Sequence, residues 1–107
     1  MSLDVYLTKV MPTQVFSANI THNLGKMAKE AGLYECLWRP DEINVKFAGQ
    51  IIEPLTRGID FLKSWPDLFK KFDAPNGWGT YEQFLPWVEE YLQACIDNPD
   101  AEISVSR

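Results

Sequence analysis

The sequence predicts an α+β domain in which a small antiparallel or mixed sheet, an N-terminal hairpin plus a C-terminal strand, packs against about four helices. Apolar residues alternate with polar ones at both ends of the chain, which is the period of a half-buried strand. Between the ends, apolar residues recur every three or four positions, the period of a helix with one buried face. A length of 107 residues fits a single domain covering residues 1–107.

Three runs predict the strands. Residues 2–8 place leucine or valine at every second position, and residues 13–18 are again rich in β-prone side chains. These two runs predict a hairpin with Pro12 near its turn, because proline cannot donate a ladder hydrogen bond. Residues 101–107 alternate in the same way, and the helices before them would supply the crossover that parallel pairing with the first strand requires.

The first helix is predicted from about residue 20 to Ala31. Asn19 or Thr21 can accept hydrogen bonds from the free amides of its first turn, as N-cap residues do. Gly32 fits the glycine that ends a helix. Residues 33–38 are then expected to form a short connector.

Three more helices are predicted downstream. One spans about residues 45–63, with a kink or a late start because Pro54 interrupts it. Pro66 suits the first position of a short helix through residue 72. Thr80 and Gln83 have the spacing of a capping box at the start of the last helix.

Composition and charge narrow the function classes. The 15 acidic and 10 basic residues give a net charge of −5, so we expect no duplex nucleic acid as partner, because phosphates require clustered Lys and Arg. No apolar run approaches the roughly 20 residues of a membrane span, and no signal peptide is recognisable, so we expect no membrane and a cytoplasmic location. Cys36, Cys95 and His22 lack metal-site spacing, so we expect reduced thiols, no metal and no cofactor.

The only histidine, His22, lies between two asparagines at the start of the first predicted helix. An imidazole flanked by Asn19 and Asn23 could hydrogen-bond a polar or anionic ligand there. Alternatively, its neighbours cap the helix and His22 bonds a nearby carbonyl, or His22 is the general base of an enzyme. The sequence places no second ionisable group beside His22, so we assign no catalytic residue and favour a protein that is not an enzyme.

Two other segments carry tryptophans that could contact a ligand. Asn76–Gly79 predicts a tight turn in which the glycines leave Trp78 open to a planar ligand, or a tryptophan that folds back over the core edge. Trp38 with Arg39 offers a second planar pair. If the three segments converge, they form one polar–aromatic pocket. The ligand-binding candidates are Asn19, His22, Asn23, Trp38, Arg39, Asn76, Trp78 and Tyr81.

The chain also resembles a family of short bacteriophage and prophage proteins that have no assigned activity. The resemblance rests on the motifs DVYL, NITHNL, AGLY, LWRP, IEPL, NGWG and YL-x-AC and on the closing PDA. It covers nearly the whole chain and transfers no catalytic residue. It implies a phage or prophage context, in which small proteins often bind a host component.

The sequence therefore predicts a small non-enzymatic binding domain of phage origin, whose pocket takes a small polar ligand or a loop of a host protein. The alternative is a protein–protein adaptor or homodimer that uses Trp87 and Tyr91 as exposed aromatics of the last helix. The pocket requires His22, Arg39 and Trp78 to share a face. The adaptor requires both aromatic side chains of the last helix to be accessible.

Overall fold

In the computed structural model, which describes residues 2–9 and 13–107, a three-stranded sheet packs one face against a layer of helices. The strands are β1 (Ser2–Lys9), β2 (Thr13–Thr21) and β3 (Glu102–Ser106). The helices are α1 (Gly25–Glu30), α2 (Tyr34–Trp38), α3 (Ile52–Ser64), α4 (Pro66–Lys70) and α5 (Tyr81–Asp97). Three 3-10 turns, His22–Leu24, Pro40–Ile43 and Ala48–Ile51, join them. The predicted α+β fold is confirmed.

The sheet order is β2-β1-β3, and β1 pairs antiparallel with both neighbours. The hairpin is as predicted, although Pro12 lies outside the described residues. Of the predicted alternatives, an antiparallel or a mixed sheet, the antiparallel one is found, and the last strand does not pair parallel to the first. The amides of Ala48 and Gly49 bond the carbonyls of Ala101 and Pro99, which fixes the turn after α5 against the Ala48–Ile51 turn. The chain therefore enters β3 in the direction opposite to β1.

The strand β1 separates the core from the solvated face of the sheet. Leu3, Val5 and Leu7 are fully buried, whereas the residues between them are only half-buried. Burial of side chains of this size stabilises the fold by about 1.5–3 kcal/mol each. The helices complete the core with Leu24, Met27, Ile51, Leu55, Leu62, Phe69, Phe84, Val88 and Tyr91.

The first helix is shorter than predicted. Ile20 belongs to β2, where it lies opposite Leu3, so its apolar side chain is buried by the sheet instead of by a helix. Thr21 then caps a 3-10 turn by accepting a hydrogen bond from the amide of Asn23 at 3.2 Å. The α-helix begins only at Gly25, and Gly32 follows its end with φ of 76°, as expected for a terminating glycine.

Residues 34–38 form the helix α2 and not the predicted connector. Cys36, Leu37 and Trp38 are buried on it. The later helices follow the prediction more closely. Pro54 lies in the first turn of α3, where its missing amide leaves no bond unmade.

The capping box of α5 is present as predicted. Thr80 Oγ1 accepts from the amide of Gln83 at 3.3 Å, and Gln83 Oε1 accepts from the amide of Thr80 at 3.1 Å. The same Gln83 oxygen also accepts from the amide of Gly79 at 3.0 Å. The capping box therefore fixes the start of α5 and, with it, the end of the loop that precedes it.

Candidate functional site

The candidate site surrounds the His22–Leu24 turn, where β2 ends and the loop of residues 73–79 lies against it. Gly79 makes this contact possible. A Cβ atom at Gly79 would lie 3.0 Å from Cβ of Asn23 and 3.1 Å from Cγ2 of Thr21. The backbone φ of Gly79 is 118°, which residues other than glycine rarely adopt. Glycine at this position lets the loop backbone approach the turn.

Two open depressions flank the turn. The first, called here the Lys26 depression, has a volume of about 540 Å³. The second, the Trp78 depression, has a volume of about 460 Å³. Both volumes fall within the roughly 300–1,000 Å³ of small-molecule sites. The Lys26 depression is lined by His22, Asn23, Lys26, Ala74, Pro75 and Asn76. The Trp78 depression is lined by Ser2, Asn19, Thr21, His22, Asn23 and Trp78.

His22 lines both depressions, and Trp38 orients it from the core side. The indole Nε1–H of Trp38 donates to His22 Nδ1 at 2.8 Å. Because an indole nitrogen is only a donor, Nδ1 must be the acceptor, and the remaining proton lies on His22 Nε2. Trp38 is 2% exposed, so it supports the imidazole and cannot itself contact a ligand.

Of the two predicted N-cap residues, Thr21 is the one that caps, and His22 begins the helical segment as expected, although the segment opens with a 3-10 turn and not with an α-helix. His22 lies in the 3-10 turn before α1, and α1 has only six residues. A helix this short carries a small macrodipole, so a ligand would be held here by side chains. The half-buried imidazole offers one N–H donor for that purpose.

Hydrogen bonds to the loop backbone hold the loop in place, whereas the side chain of Trp78 makes none of them. Asn23 Nδ2 donates to the carbonyl of Trp78 at 2.8 Å, and Asn76 Oδ1 accepts from the amide of Trp78 at 3.0 Å. Gln83 Nε2 donates to the carbonyl of Gly77 at 3.3 Å. The Trp78 residue nevertheless remains 74% exposed. The indole is thus presented to solvent on a fixed backbone.

Asn19 is placed in the Trp78 depression by the register of the sheet. It lies opposite Asp4 on β1 and donates from Nδ2 to Asp4 Oδ1 at 2.6 Å and to Ser2 Oγ at 2.9 Å. Its own Oδ1 makes no hydrogen bond among the described residues. Asn19 therefore adds an acceptor oxygen to this side of the site.

Arg39 and Tyr81 lie outside both depressions. Arg39 Nη1 bonds Glu42 Oε2 at 2.9 Å, and its Nε donates to the hydroxyl of Tyr34 at 3.4 Å. Tyr81 is buried, and its hydroxyl donates to the carbonyl of Leu62 at 2.7 Å. Of the sequence-predicted ligand residues, the structure brings five to the depressions: Asn19, His22, Asn23, Asn76 and Trp78.

Sequence reasoning missed Lys26 and Ser2. Lys26 follows His22 by four residues, and that spacing places the two side chains near each other on a helix, but Lys26 was not counted among the ligand-binding candidates. Ser2 reaches the site only because β1 and β2 pair with Ser2 opposite Thr21. No local signal in the sequence carries that register.

The predicted exposure of the last helix's aromatics was wrong for Tyr91. Tyr91 is 0% exposed, because Phe16 of β2 stacks on it with ring centroids 5.8 Å apart. Trp87 is half-buried. Neither Trp87 Nε1 nor the Tyr91 hydroxyl has a hydrogen-bond partner among the described residues. Tyr91 therefore offers no surface to a partner protein.

The two thiols are free and buried, and Cys36 Sγ donates to the carbonyl of Leu33 at 3.3 Å. Burial raises the pKa of Cys36 to about 12 and that of Cys95 to about 12. A protonated thiol is a poor nucleophile and a poor metal ligand. Within residues 2–9 and 13–107, no group of three or more His, Cys, Asp and Glu side chains is arranged for a metal ion.

Across the same ranges, none of the helices has the length and apolar character needed to cross a bilayer. No protein-family model, curated protein or solved structure matches the chain. The resemblance to phage proteins therefore stays a prediction.

Proposed function

We propose that the chain is a small non-enzymatic domain that binds a small polar ligand in the Lys26 and Trp78 depressions. The observation that carries this proposal is the exposed indole of Trp78 on a backbone held at its amide and its carbonyl. An aromatic ring presented on a fixed backbone loses little conformational entropy when a ligand stacks on it. The polar side chains that line the two depressions would set the orientation of the ligand.

The hydrogen bond between Trp38 and His22 argues against a catalytic role. A general base needs an unprotonated nitrogen facing the substrate, with its other nitrogen donating to an orienting group. In this structure Trp38 donates into Nδ1, so the proton lies on Nε2, the nitrogen that remains for a ligand. His22 is therefore arranged as a hydrogen-bond donor and not as a proton acceptor.

We also propose a cytoplasmic protein of phage or prophage origin. The sequence motifs NITHNL, LWRP and NGWG support the origin, and two free, buried cysteines fit a reducing compartment. A loop of a host protein is the alternative occupant of the depressions. Such a loop would insert polar side chains beside Trp78 in the same way as a small ligand.

A thermal-shift screen of metabolites against the wild type, Trp78→Ala and Trp65→Ala tests the proposal. Trp65 is a matched control, since it is 60% exposed but lies at the junction of α3 and α4. A ligand at about 100 times its dissociation constant adds about 2.7 kcal/mol, which is several degrees for this chain length. We expect a shift in the wild type and in Trp65→Ala that Trp78→Ala loses. An equal shift in all three proteins, or none with any metabolite class, would contradict the proposal.

A second candidate function is homodimerisation, now favoured by the edge of the sheet. In the described part of the chain, β1 is the only strand paired with β2, and β2 carries no charged residue. An uncharged nine-residue edge can pair with its own copy in antiparallel fashion. By contrast, the outer side of β3 is partly covered, because Ile103 donates to the carbonyl of Lys46.

Light scattering of Val15→Lys would test the homodimer. Val15 is an exposed residue of β2, and a lysine on an edge strand opposes pairing. Ser104→Lys on β3 is the control, since it places the same charge on the other edge strand. A dimer that only Val15→Lys dissociates is the expected result. A wild-type monomer at all concentrations would rule the homodimer out.

A further inference from the structure

The unused hydrogen-bonding atoms around the site can be assigned from chemistry. The carboxylate of Asp4 and the carbonyl of Trp78 only accept, so Asn19 and Asn23 must turn their Nδ2 atoms toward them. The amide of Trp78 only donates, so Asn76 must turn its Oδ1 toward it. Asn19 and Asn23 are left with an acceptor Oδ1, and Asn76 is left with a donor Nδ2.

The Trp78 depression therefore combines two amide acceptors with an aromatic residue. Asn19 and Asn23, each with an Oδ1 free to accept, line it together with Trp78, the hydroxyl residues Ser2 and Thr21, and His22, and no Lys or Arg does. The carboxylate of Asp4, bonded to Asn19, adds negative charge nearby. These groups fit a flat ring that carries N–H donors, such as a nucleobase with an exocyclic amino group, stacked on Trp78.

The Lys26 depression has the opposite character. Among the described residues, none of the ion pairs uses Lys26, and no Asp or Glu lines the depression. The Nδ2 group of Asn76 and the Nε2–H of His22 are further donors at its edge. An ammonium with two neutral donors fits a compact anion that has several acceptor oxygens, such as a phosphate.

The two depressions meet at His22 and Asn23, which line both. A single ligand can therefore place a donor-bearing ring on one side and an anion on the other. We infer that the ligand is a nucleoside monophosphate whose amino-bearing base stacks on Trp78 and whose phosphate lies beside Lys26. This inference rests on the proposed function, since it names the ligand class of the same site.

A free nucleotide fits better than a polynucleotide. The chain has a net charge of −5, and Lys26 is the only cation that lines either depression in the described residues. One ammonium can pair with one phosphate, whereas a strand presents a phosphate at every nucleotide and needs a basic groove. The site therefore has the charge for a single phosphate group.

Titrations with four small probes separate the two halves of the inference. AMP carries both groups, IMP lacks the amino group, adenosine lacks the phosphate, and glucose 6-phosphate lacks the base. Binding would be followed by ¹⁵N–¹H spectra of the four indole groups, with the Trp78 signal identified by its loss in Trp78→Phe. The Trp38 indole signal is a second reporter, because its N–H donates to His22 Nδ1.

We expect AMP to bind at least about tenfold more tightly than IMP, adenosine or glucose 6-phosphate, with shifts at both the Trp78 and the Trp38 indole. Lys26→Gln should weaken AMP by about 5- to 10-fold and leave adenosine unchanged. Lys29→Gln is the control. Lys29 lies over the ring of Tyr34 and lines neither depression, so AMP affinity should be retained.

The outcomes also distinguish this inference from the proposed function. If adenosine equals AMP, or Lys26→Gln has no effect, the phosphate assignment is overturned. If IMP or glucose 6-phosphate equals AMP, the assignment of the amino-bearing base is overturned. If another metabolite binds in a Trp78-dependent way and AMP does not, the nucleotide inference fails and the proposed function stands. If no metabolite binds at all, both fail.

Discussion

Helix α2 and the loop of residues 73–79 both contact the His22–Leu24 turn, and each brings a tryptophan to it. Trp38 on α2 is 2% exposed, and its indole donates to His22. Trp78 on the loop is 74% exposed, and its backbone carries the hydrogen bonds instead. Packing fixes the first side chain, whereas backbone bonds fix the second and leave its ring free. Of the two, only the loop tryptophan exposes its ring to solvent.

The largest effect should come from removing the buried member of this pair. Trp38→Ala should destabilise the fold by about 3–5 kcal/mol, because it leaves a large cavity and exposes His22 Nδ1 without its donor. Trp38 also stacks on Tyr34 with centroids 5.4 Å apart. Trp38→Phe keeps most of the packing and should lose less. Urea unfolding measures both, and a loss below about 1 kcal/mol in Trp38→Ala would mean that packing does not fix Trp38.

The second prediction concerns the stability of α2 in alkali. Burial raises the pKa of Cys36 from 9.0 to about 12. Below pH 9 both folded and unfolded thiols are protonated, so this group adds no pH dependence. Between pH 9 and pH 12 only the unfolded thiol ionises, so stability should fall as the pH rises, by up to about 4 kcal/mol for three pKa units.

Urea unfolding at several pH values, compared with Cys36→Ala, isolates this effect from other titrating groups. Cys95, whose pKa is raised to about 12 first by burial and to a smaller extent by Cys36, remains in both proteins, so the burial part of its contribution cancels from the difference. The wild type should lose stability faster than the variant above pH 9. If the stability of the wild type and of Cys36→Ala changed with pH in the same way, Cys36 would be accessible to solvent and α2 would not be packed as described.

The third prediction compares two glycines of the loop. Gly79→Ala should cost about 2–3 kcal/mol, since φ is 118° and a Cβ would press on Asn23 at 3.0 Å. Gly77→Ala should cost about 1 kcal/mol, because φ is 77° but nothing lies within 4 Å of its Cβ. Urea unfolding compares them. Equal losses would mean that the loop does not depend on its close contact with the turn.

The elements of the fold differ in how far the sequence predicted them. The strand β1 and the capping box at Thr80 were predictable, because alternation and cap spacing are local signals. Helix α2 was missed because five residues are too few to show a helical period. Ile20 fitted a helical stripe with Leu24 equally well, and only pairing with Leu3 across the hairpin puts it in β2.

The site depended even more on contacts between distant residues. Asn23 and Trp78 are 55 positions apart and meet through one side-chain hydrogen bond. His22, Asn23 and Trp78 could be selected from their residue types, and the i, i+3 spacing of Arg39 and Glu42 was a local signal for the ion pair that turns Arg39 away. Tyr91 was expected at the surface because its helix cannot reveal that Phe16 covers it. The sequence showed which residue types could bind a ligand, but it did not show which of them meet in the folded chain.

The smallest effect on stability should come from Trp78. Its replacement therefore tests directly whether the ring is free of the core. With 74% of the residue exposed, only a small apolar area is lost in Trp78→Ala, and the two backbone hydrogen bonds do not involve the ring. We expect a change below about 1 kcal/mol in urea unfolding, against about 3–5 kcal/mol for Trp38→Ala. A loss comparable to that of Trp38→Ala would mean that Trp78 closes the core edge in solution, and a ring used for that purpose could not also stack on a ligand. An unchanged stability together with lost ligand binding would assign the two tryptophans to structure and recognition respectively.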